Sequence, residues 1–179
     1  GGGPMQRLTA KTGYSAILNI LYSNAVVCVR EELSPSSPPN LFSRGQKRPL
    51  LLGAASKVIL ANLAAHQLRR LYANQRKAIA MAGLGGDYVS LRKALRKIRK
   101  DGYCITSGEV IPNIVGIAAT IFNGSGSVLG SLGLGLPQSS ADPAKFPELA
   151  AQVVEAAGEV TEIIGEIGHG ASLPARAIG

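Results

Sequence analysis

The 179-residue sequence has no tryptophan, and only 4% of its residues are aromatic. Binding of single-stranded nucleic acid through stacked aromatic side chains is therefore disfavoured. Cysteine is also scarce: Cys28 and Cys104 lie in apolar stretches and lack the CxxC spacing of metal and redox motifs. This pattern indicates a reducing compartment rather than a disulfide framework, so we expect a cytoplasmic protein.

Patterns that carry catalysis or bind metals are equally rare. His66 and His169 lie far from each other and from any cluster of cysteines or carboxylates, so we predict no metal site. Ser56 and Lys57 are adjacent, and adjacent side chains on a helix point in different directions, which excludes a nucleophile–base pair. The glycine string that begins at Gly124 precedes a predicted strand, whereas a dinucleotide site requires a helix there. We therefore expect neither an enzyme nor a bound cofactor.

No apolar run reaches the roughly 18 residues that a membrane-spanning helix requires, and the first residues lack a signal-peptide pattern. We therefore predict no association with a membrane. Residues 1–7 are interpreted as a cloning remnant or the end of a linker. With 46% hydrophobic residues, the chain can form one core of Leu, Ile, Val and Ala side chains. We predict a single domain over residues 8–168 and a flexible tail over residues 169–179.

The formal net charge of +8 is concentrated in one segment, because residues 87–100 contain six Lys and Arg against one Asp. Tyr88, Leu91, Leu95 and Ile98 recur there at helical spacing, so the basic residues occupy the remaining helix surface. We interpret this surface as a solvent-exposed face. Binding of phosphate groups or of an acidic partner is the alternative.

The order of predicted elements indicates an α+β fold. Apolar, β-prone runs at residues 14–21 and 25–32 predict a hairpin, and a short strand or bend is expected at residues 41–45. Four helices are predicted. The first covers residues 50–63 and is opened by Pro49, the second covers residues 64–80, the third follows its cap Asp87, and the last covers residues 143–167. Strands from both ends of the sequence should form one antiparallel or mixed six-stranded sheet flanked by helices.

The most informative segment, residues 99–137, predicts two long strands closed by a turn at residues 123–126. The expected register pairs Gly116 with Gly133, Ile114 with Gly135 and Ala118 with Ser131. The opposite face should be a core face, formed by Val115, Ile117, Ala119, Ile121, Val128, Leu132 and Leu134. Because glycine weakens a strand, several glycines on one face suggest that another group approaches closely. A bound small molecule, or a helix or neighbouring backbone packed flat on the sheet, explains them equally well.

Three passages together carry a family resemblance. They are Thr12-Gly13 before the first hairpin, Arg48 to Lys57 (RPLLLGAASK), and Ile98 to Tyr103 (IRKDGY), which continues into Gly108-Glu109 and Gly116 to Phe122 (GIAATIF). From Leu8 to about Ile167, the chain resembles the C-terminal effector-binding domain of the IclR family of bacterial transcription regulators. The resemblance implies a GAF-like fold, a small-molecule pocket on one face of the sheet, and assembly into a homodimer or homotetramer.

The resemblance also implies that DNA is bound only through an N-terminal winged helix-turn-helix domain, which this sequence does not contain. We therefore expect a ligand-sensing part of a longer regulator, in which effector binding changes the arrangement of the protomers. A stand-alone GAF-like ligand-binding protein without a DNA-binding function is the alternative. A small enzyme that uses the same cavity is a second and less favoured alternative.

The pocket positions implied by the resemblance are Asn40, Phe42, Arg48, Ala54, Ala55, Thr106, Ile114, Gly116, Gly133 and Gly135. Relatives that bind small oxoacids carry acidic, thiol and hydroxyl groups at several of these positions, where this chain has Thr106 and three glycines. A roomier and less polar pocket should favour a larger organic carboxylate, with aromatic acids as candidates. The substitution Gly133→Leu is expected to abolish ligand binding and to leave folding intact.

Two features are candidates for binding the charge of such a ligand. Arg48 could pair with a carboxylate through both guanidinium nitrogens, or it could be a surface arginine in a turn. The backbone N–H groups of Ala54 and Ala55, at the start of a helix, offer a second anion site.

Overall fold

The computed structural model of the protein describes residues 2–37 and 44–170. In chain order, the elements are α1 (Pro4–Thr12), β1 (Ser15–Tyr22), β2 (Ala25–Glu32), β3 (Lys47–Pro49), α2 (Ala54–Leu60), α3 (Ala65–Asn74), α4 (Arg76–Met81), α5 (Tyr88–Asp101), β4 (Tyr103–Ser107), β5 (Ile114–Phe122), β6 (Val128–Pro137) and α6 (Phe146–Gly170). No helix in these two ranges is both long and apolar enough to cross a membrane.

The described strands form a six-stranded sheet in the order β3-β2-β1-β6-β5-β4, and every neighbouring pair is antiparallel. The predicted α+β class is confirmed. The sheet combines both ends of the sequence, as expected, because β1 pairs with β6. Helices α1 and α6 pack on one face through Met5, Leu8 and Val153, and α2 packs on the other face over β4, β5 and β6.

The predicted register of the β5–β6 hairpin was wrong by two residues. Gly116 pairs with Gly135, and Ala118 pairs with Gly133. The turn accounts for one residue of this shift, because Asn123 N–H donates to the backbone oxygen of Ser127. An irregularity between Ile121 and Phe122, which adds one residue to β6, accounts for the other. Side chains alternate between the two faces of a strand, so a shift of two residues leaves them on their predicted face.

The same irregularity explains why one predicted core residue lies elsewhere. Val128, which was expected on the core face of the hairpin, packs instead with the helices on the opposite face of the sheet. Val128 pairs with Phe122, on the turn side of the irregularity. The extra residue in β6 shifts the alternation of its side chains by one position there, so Val128 points to the opposite face. The remaining residues predicted for the core face are buried together on the α1 and α6 side.

The helix predicted to begin at Pro49 begins later. Residues 47–49 form β3, which pairs with β2, and α2 starts only at Ala54. Gly53, immediately before α2, has φ +89°, a backbone conformation that favours glycine, and it turns the chain into the helix. The predicted helix over residues 64–80 is two helices, α3 and α4, because Gln75 leaves helical geometry with φ −136° and ψ 37°.

Two parts of the chain differ from the predicted element order. Helix α1 was not predicted, and it includes residues 4–7 of the segment interpreted as a remnant or linker end. Of the strand or bend expected at residues 41–45, residues 41–43 lie outside the described ranges, and residues 44–45 form a turn. Most of the predicted tail, residues 171–179, also lies outside them.

The basic helix α5 follows its prediction closely. The carboxylate of Asp87 accepts a hydrogen bond from the backbone N–H of Ser90 at 2.7 Å, which caps the helix. Leu91 and Leu95 are buried. The Lys and Arg side chains of α5 are exposed, as both a solvated face and a face that binds an acidic partner require.

Candidate functional site

A cavity of about 70 Å³ lies between the sheet and the first residues of α2. Strands β1, β2, β5 and β6 contribute its floor, and Arg48 of β3 lies at one end. The loop between β4 and β5, residues 108–113, supplies Glu109, Val110 and Ile111 to its wall. The cavity is therefore enclosed by segments that are far apart in the sequence.

Most of the predicted site residues line this cavity: Arg48, Ala54, Ala55, Thr106, Ile114, Gly116 and Gly133. Gly135 is buried in β6 beside Gly116, but it is not one of the lining residues. Asn40 and Phe42 lie outside the described residues.

Sequence reasoning missed several residues of the cavity. These are Ile17, Asn19 and Val26 from the first hairpin, Leu52, Gly53 and Ser56 near the start of α2, and Glu109, Val110 and Ile111 from the β4–β5 loop. Only Asn19 carried a recognisable signal, because it is a polar residue in the middle of an apolar strand. The loop residues have no periodicity that could have placed them.

The glycines on the sheet face have two different structural roles. A Cβ added to Gly116 would lie 3.5 Å from both the Ala54 Cβ and the Thr106 Oγ1, which is ordinary contact. A Cβ added to Gly133 would lie 2.7 Å from the backbone oxygen of Ile117 on the neighbouring strand. Helix α2 therefore packs against part of the glycine face, and the cavity opens beside that contact.

Two backbone amides at the start of α2 already have acceptors. Ala54 N–H donates to Thr106 Oγ1 at 3.0 Å, and Gly53 N–H donates to Glu109 Oε1 at 3.1 Å. The Ala54 amide, predicted as part of an anion site with that of Ala55, therefore donates within the protein in this structure. Because Thr106 Oγ1 accepts this hydrogen bond, its own O–H remains the donor that it can offer to a ligand.

An ion pair that the sequence did not reveal fixes the β4–β5 loop against α2. Lys57 Nζ lies 2.8 Å from Glu109 Oε1, and it also donates to the backbone oxygen of Ala82 at 3.2 Å. Lys57 is only 8% exposed. The pair holds Glu109 at the cavity wall and at the same time compensates its charge.

Arg48 and Glu109 are the charged residues among the described lining of the cavity. Arg48 is the positively charged residue of this lining, and Glu109 is paired with Lys57. Arg48 is partly buried, and the loss of solvation lowers the pKa of its guanidinium. A coulombic interaction with Cys28 has the opposite, smaller effect and raises this pKa. Arg48 lies in β3 rather than in the turn that the alternative placed it in, and its side chain is half-buried.

The volume of the cavity limits which ligands fit without movement. An engineered protein cavity of about 150 Å³ admits benzene, so about 70 Å³ is roughly half of what an aromatic ring requires. Val110 and Leu52, on the wall away from the sheet, are 41% and 39% exposed. The β4–β5 loop and the segment before α2 are therefore the walls that can move outward around a larger ligand.

An antiparallel sheet with helices on both faces, and with an apolar cavity between sheet and helix, defines a small-molecule-binding domain of the α+β class. Residues 2–162 match the sequence model of the family described as "Bacterial transcriptional regulator IclR C-terminal". The chain belongs to this family, and it corresponds to the C-terminal, effector-binding domain of IclR-family transcription regulators.

Individual relatives agree with this assignment. The chain is 26% identical to the HTH-type transcriptional regulator BhcR of Paracoccus denitrificans, over 88% of this chain and 56% of BhcR. It is 25% identical to the HTH-type transcriptional repressor AllR of Klebsiella pneumoniae, over 92% of this chain and 61% of AllR. The chain thus spans somewhat more than half the length of these two relatives.

A solved structure supports the fold independently. The C-terminal domain of the Escherichia coli regulator KdgR superposes with a TM-score of 0.74. The match covers 90% of this chain and 94% of that domain, at 20% identity, so it bears on the fold alone.

Proposed function

We propose that this domain binds a small organic carboxylate in the cavity between the sheet and α2, and that binding regulates a longer transcription regulator. The observation that carries the proposal is the position of Arg48. It is a partly buried guanidinium at the end of a mostly apolar cavity, and the carboxylate of Glu109 in the same cavity is paired with Lys57.

The chemistry of the lining favours an acid with an apolar body. Ile17, Val26 and Ile114 offer hydrocarbon surface, whereas a guanidinium binds a carboxylate through two parallel hydrogen bonds. Partial burial strengthens such a pair because less water competes for the charges. Thr106 can donate one further hydrogen bond at the other end of the cavity.

Regulation then requires that the ligand bind two arrangements of the protein with different affinity. The β4–β5 loop is suited to report occupancy, because it lines the cavity and is held to α2 by the Lys57–Glu109 pair. We propose a homodimer or homotetramer as the unit whose arrangement responds, with DNA bound by an additional winged helix-turn-helix domain.

The test is thermal denaturation of the purified domain with a series of carboxylates, including benzoate and hexanoate. A ligand at 100 times its Kd adds about 2.7 kcal/mol to the free energy of unfolding, which should raise Tm by roughly 5–10 °C in a domain of this size. Arg48→Met should abolish this shift. Arg92→Met, which removes an exposed arginine of α5, is the matched control and should retain it.

Benzamide, which has the same ring but no charge, should not stabilise the wild-type domain. A benzoate shift that persists in Arg48→Met would remove Arg48 from the site. If no carboxylate in the series stabilises the wild-type domain, the proposed ligand class is wrong.

A further inference from the structure

Asn19 is a polar side chain that faces the cavity without a protein partner. It lies in the middle of β1, is 6% exposed and lines the cavity. Among the residues that the structure describes, no hydrogen bond to its amide group is formed. In the described part of the chain, Ser131 Oγ is the side-chain polar atom that is fully enclosed and has no hydrogen-bond partner. The Asn19 amide, which also lacks a partner, is therefore not fully enclosed.

The neighbours of Asn19 on the same face of β1, Ile17 and Leu21, are apolar. The pairing of β1 with β6 continues through residue 19, whereas its pairing with β2 shifts by one residue between Leu18 and Asn19. This shift concerns the backbone and gives the amide group of Asn19 no partner. A leucine would match this face. At 6% exposure, the Asn19 amide has little access to water, so the absence of a protein partner calls for a specific explanation.

The strand register places Asn19 and Arg48 on the same face of the sheet. Asn19 pairs with Cys28 of β2, and Arg48 of β3 pairs with Val26 of β2. The two Cα atoms are therefore two strands and two residues apart, which corresponds to about 12 Å from standard strand spacings. Side chains that reach toward each other over this distance can contact opposite ends of one small ligand.

We propose that Asn19 is a specificity-determining residue that binds a hydroxyl, carbonyl or amide group of the ligand, at the end opposite to its carboxylate. An asparagine both donates and accepts hydrogen bonds, so it can bind each of these groups. The ligand is then a carboxylic acid with a second, uncharged polar group rather than a plain hydrocarbon acid. This inference rests on the proposed function, because it takes Arg48 as the partner of the carboxylate.

The first experiment needs no ligand. Asn19→Leu should raise the Tm of the ligand-free domain by about 3–6 °C, because it replaces an unpaired amide by an apolar side chain of similar size. The matched control is Asn62→Leu. Asn62 Nδ2 donates to the oxygen of Val58 at 2.9 Å and to Thr120 Oγ1 at 3.1 Å, so this variant should lower Tm. A loss of stability in Asn19→Leu like that in Asn62→Leu would overturn the inference.

The second experiment measures the preference for a polar group by titration calorimetry. The probes are two matched pairs, benzoate with 4-hydroxybenzoate and hexanoate with 6-hydroxyhexanoate. In at least one pair, wild-type protein should bind the hydroxylated acid about tenfold more tightly, and Asn19→Leu should lose this preference while it still binds the parent acid.

The outcomes separate the two proposals. If Asn19→Leu and wild type show the same preference, or wild type shows none, the role of Asn19 is overturned and the carboxylate site remains. If wild type binds none of the four acids, the proposed function fails, and the ligand class inferred here fails with it. Ser131→Ala, which alters the neighbouring unpaired hydroxyl outside the cavity lining, should leave the preference unchanged.

Discussion

Replacement of Glu109 by glutamine should destabilise the domain far more than its position on a loop would suggest. The substitution keeps the shape of the side chain but removes the charge that compensates Lys57. The ammonium of Lys57 would then retain the backbone oxygen of Ala82 as a neutral partner. The Gly53 N–H and Lys57 would also compete for the remaining amide oxygen of the glutamine.

The magnitude follows from the burial of the two partners. Removal of one partner of a fully buried ion pair costs about 3–5 kcal/mol. The side chain of Lys57 is 9% exposed and that of Glu109 is 28% exposed, so water can reach part of this pair. We therefore expect the free energy of unfolding to fall by about 2–3 kcal/mol, which lowers Tm by roughly 5–10 °C in a domain of this size.

The chain offers a matched control for the effect of burial. Lys97 and Asp101 also form an ion pair with 2.8 Å between nitrogen and oxygen, but the side chain of Lys97 is 78% exposed. Asp101→Asn should produce no measurable shift in Tm, because exposed pairs are screened by water. The double variant Lys57→Met/Glu109→Gln should recover much of the stability lost in Glu109→Gln, since no buried charge remains. Equal shifts for Glu109→Gln and Asp101→Asn would refute the reasoning.

Three further predictions concern the glycine face, a buried thiol and a helix cap. Gly116→Ala should keep the wild-type Tm and weaken carboxylate binding in calorimetry. Gly133→Ala should lower Tm, because its Cβ meets the backbone of β5. Equal Tm values for the two variants would contradict the different structural roles of these glycines. Burial raises the pKa of Cys104 from 9.0 to about 11, so the stabilising contribution of the neutral thiol is complete below pH 9.0 and is lost as the pH rises through 11. The free energy of unfolding measured in urea should therefore fall more over this interval for wild type than for Cys104→Ala. The same pH dependence in both proteins would count against this prediction. The hydrogen bond from the Ser90 backbone N–H lowers the pKa of Asp87. Asp87→Ala should therefore lower Tm at neutral pH but not at a pH below that pKa, where the carboxyl is protonated. A decrease in Tm that is independent of pH would exclude a charged cap.

The expectation for Gly133→Leu shows how the structure changes the choice of a variant. From the sequence, this substitution was expected to block the cavity and to leave folding intact. The backbone oxygen of Ile117 lies 2.7 Å from the position of a Cβ on Gly133, so even alanine requires a shift of the strand. Loss of binding in that variant would not separate a blocked cavity from a distorted sheet, and Gly116 is the better position.

Local patterns predicted most of the fold because they follow from periodicity and from capping residues. Apolar, β-prone runs identified the first hairpin, and the cap Asp87 marked the start of α5. The register of β5 and β6 could not be derived in the same way, because neither the longer turn nor the extra residue Leu129 in β6 is visible in the composition of this segment. The start of α2 depended on the positive φ of Gly53, which sequence alone did not distinguish from an ordinary glycine.

The site was less predictable because it depends on contacts between distant segments. The resemblance to a family placed Arg48 and Gly116, which do line the cavity. Lys57 and Glu109 are 52 residues apart, and no spacing rule connects them. Asn19 had a signal in the sequence, a polar residue at an inward position of an apolar strand, but its meaning depended on the sheet order β3-β2-β1, which places it on the same face as Arg48.

The central claim is that a carboxylate binds at Arg48 inside the cavity. A crystal structure of the domain with the carboxylate that stabilises it most would test this directly. We expect density for the ligand between the sheet and α2, with its carboxylate within hydrogen-bond distance of the Arg48 guanidinium and its other end toward Asn19. A ligand bound outside this cavity, or one whose carboxylate contacts Thr106 while Arg48 points away, would contradict it.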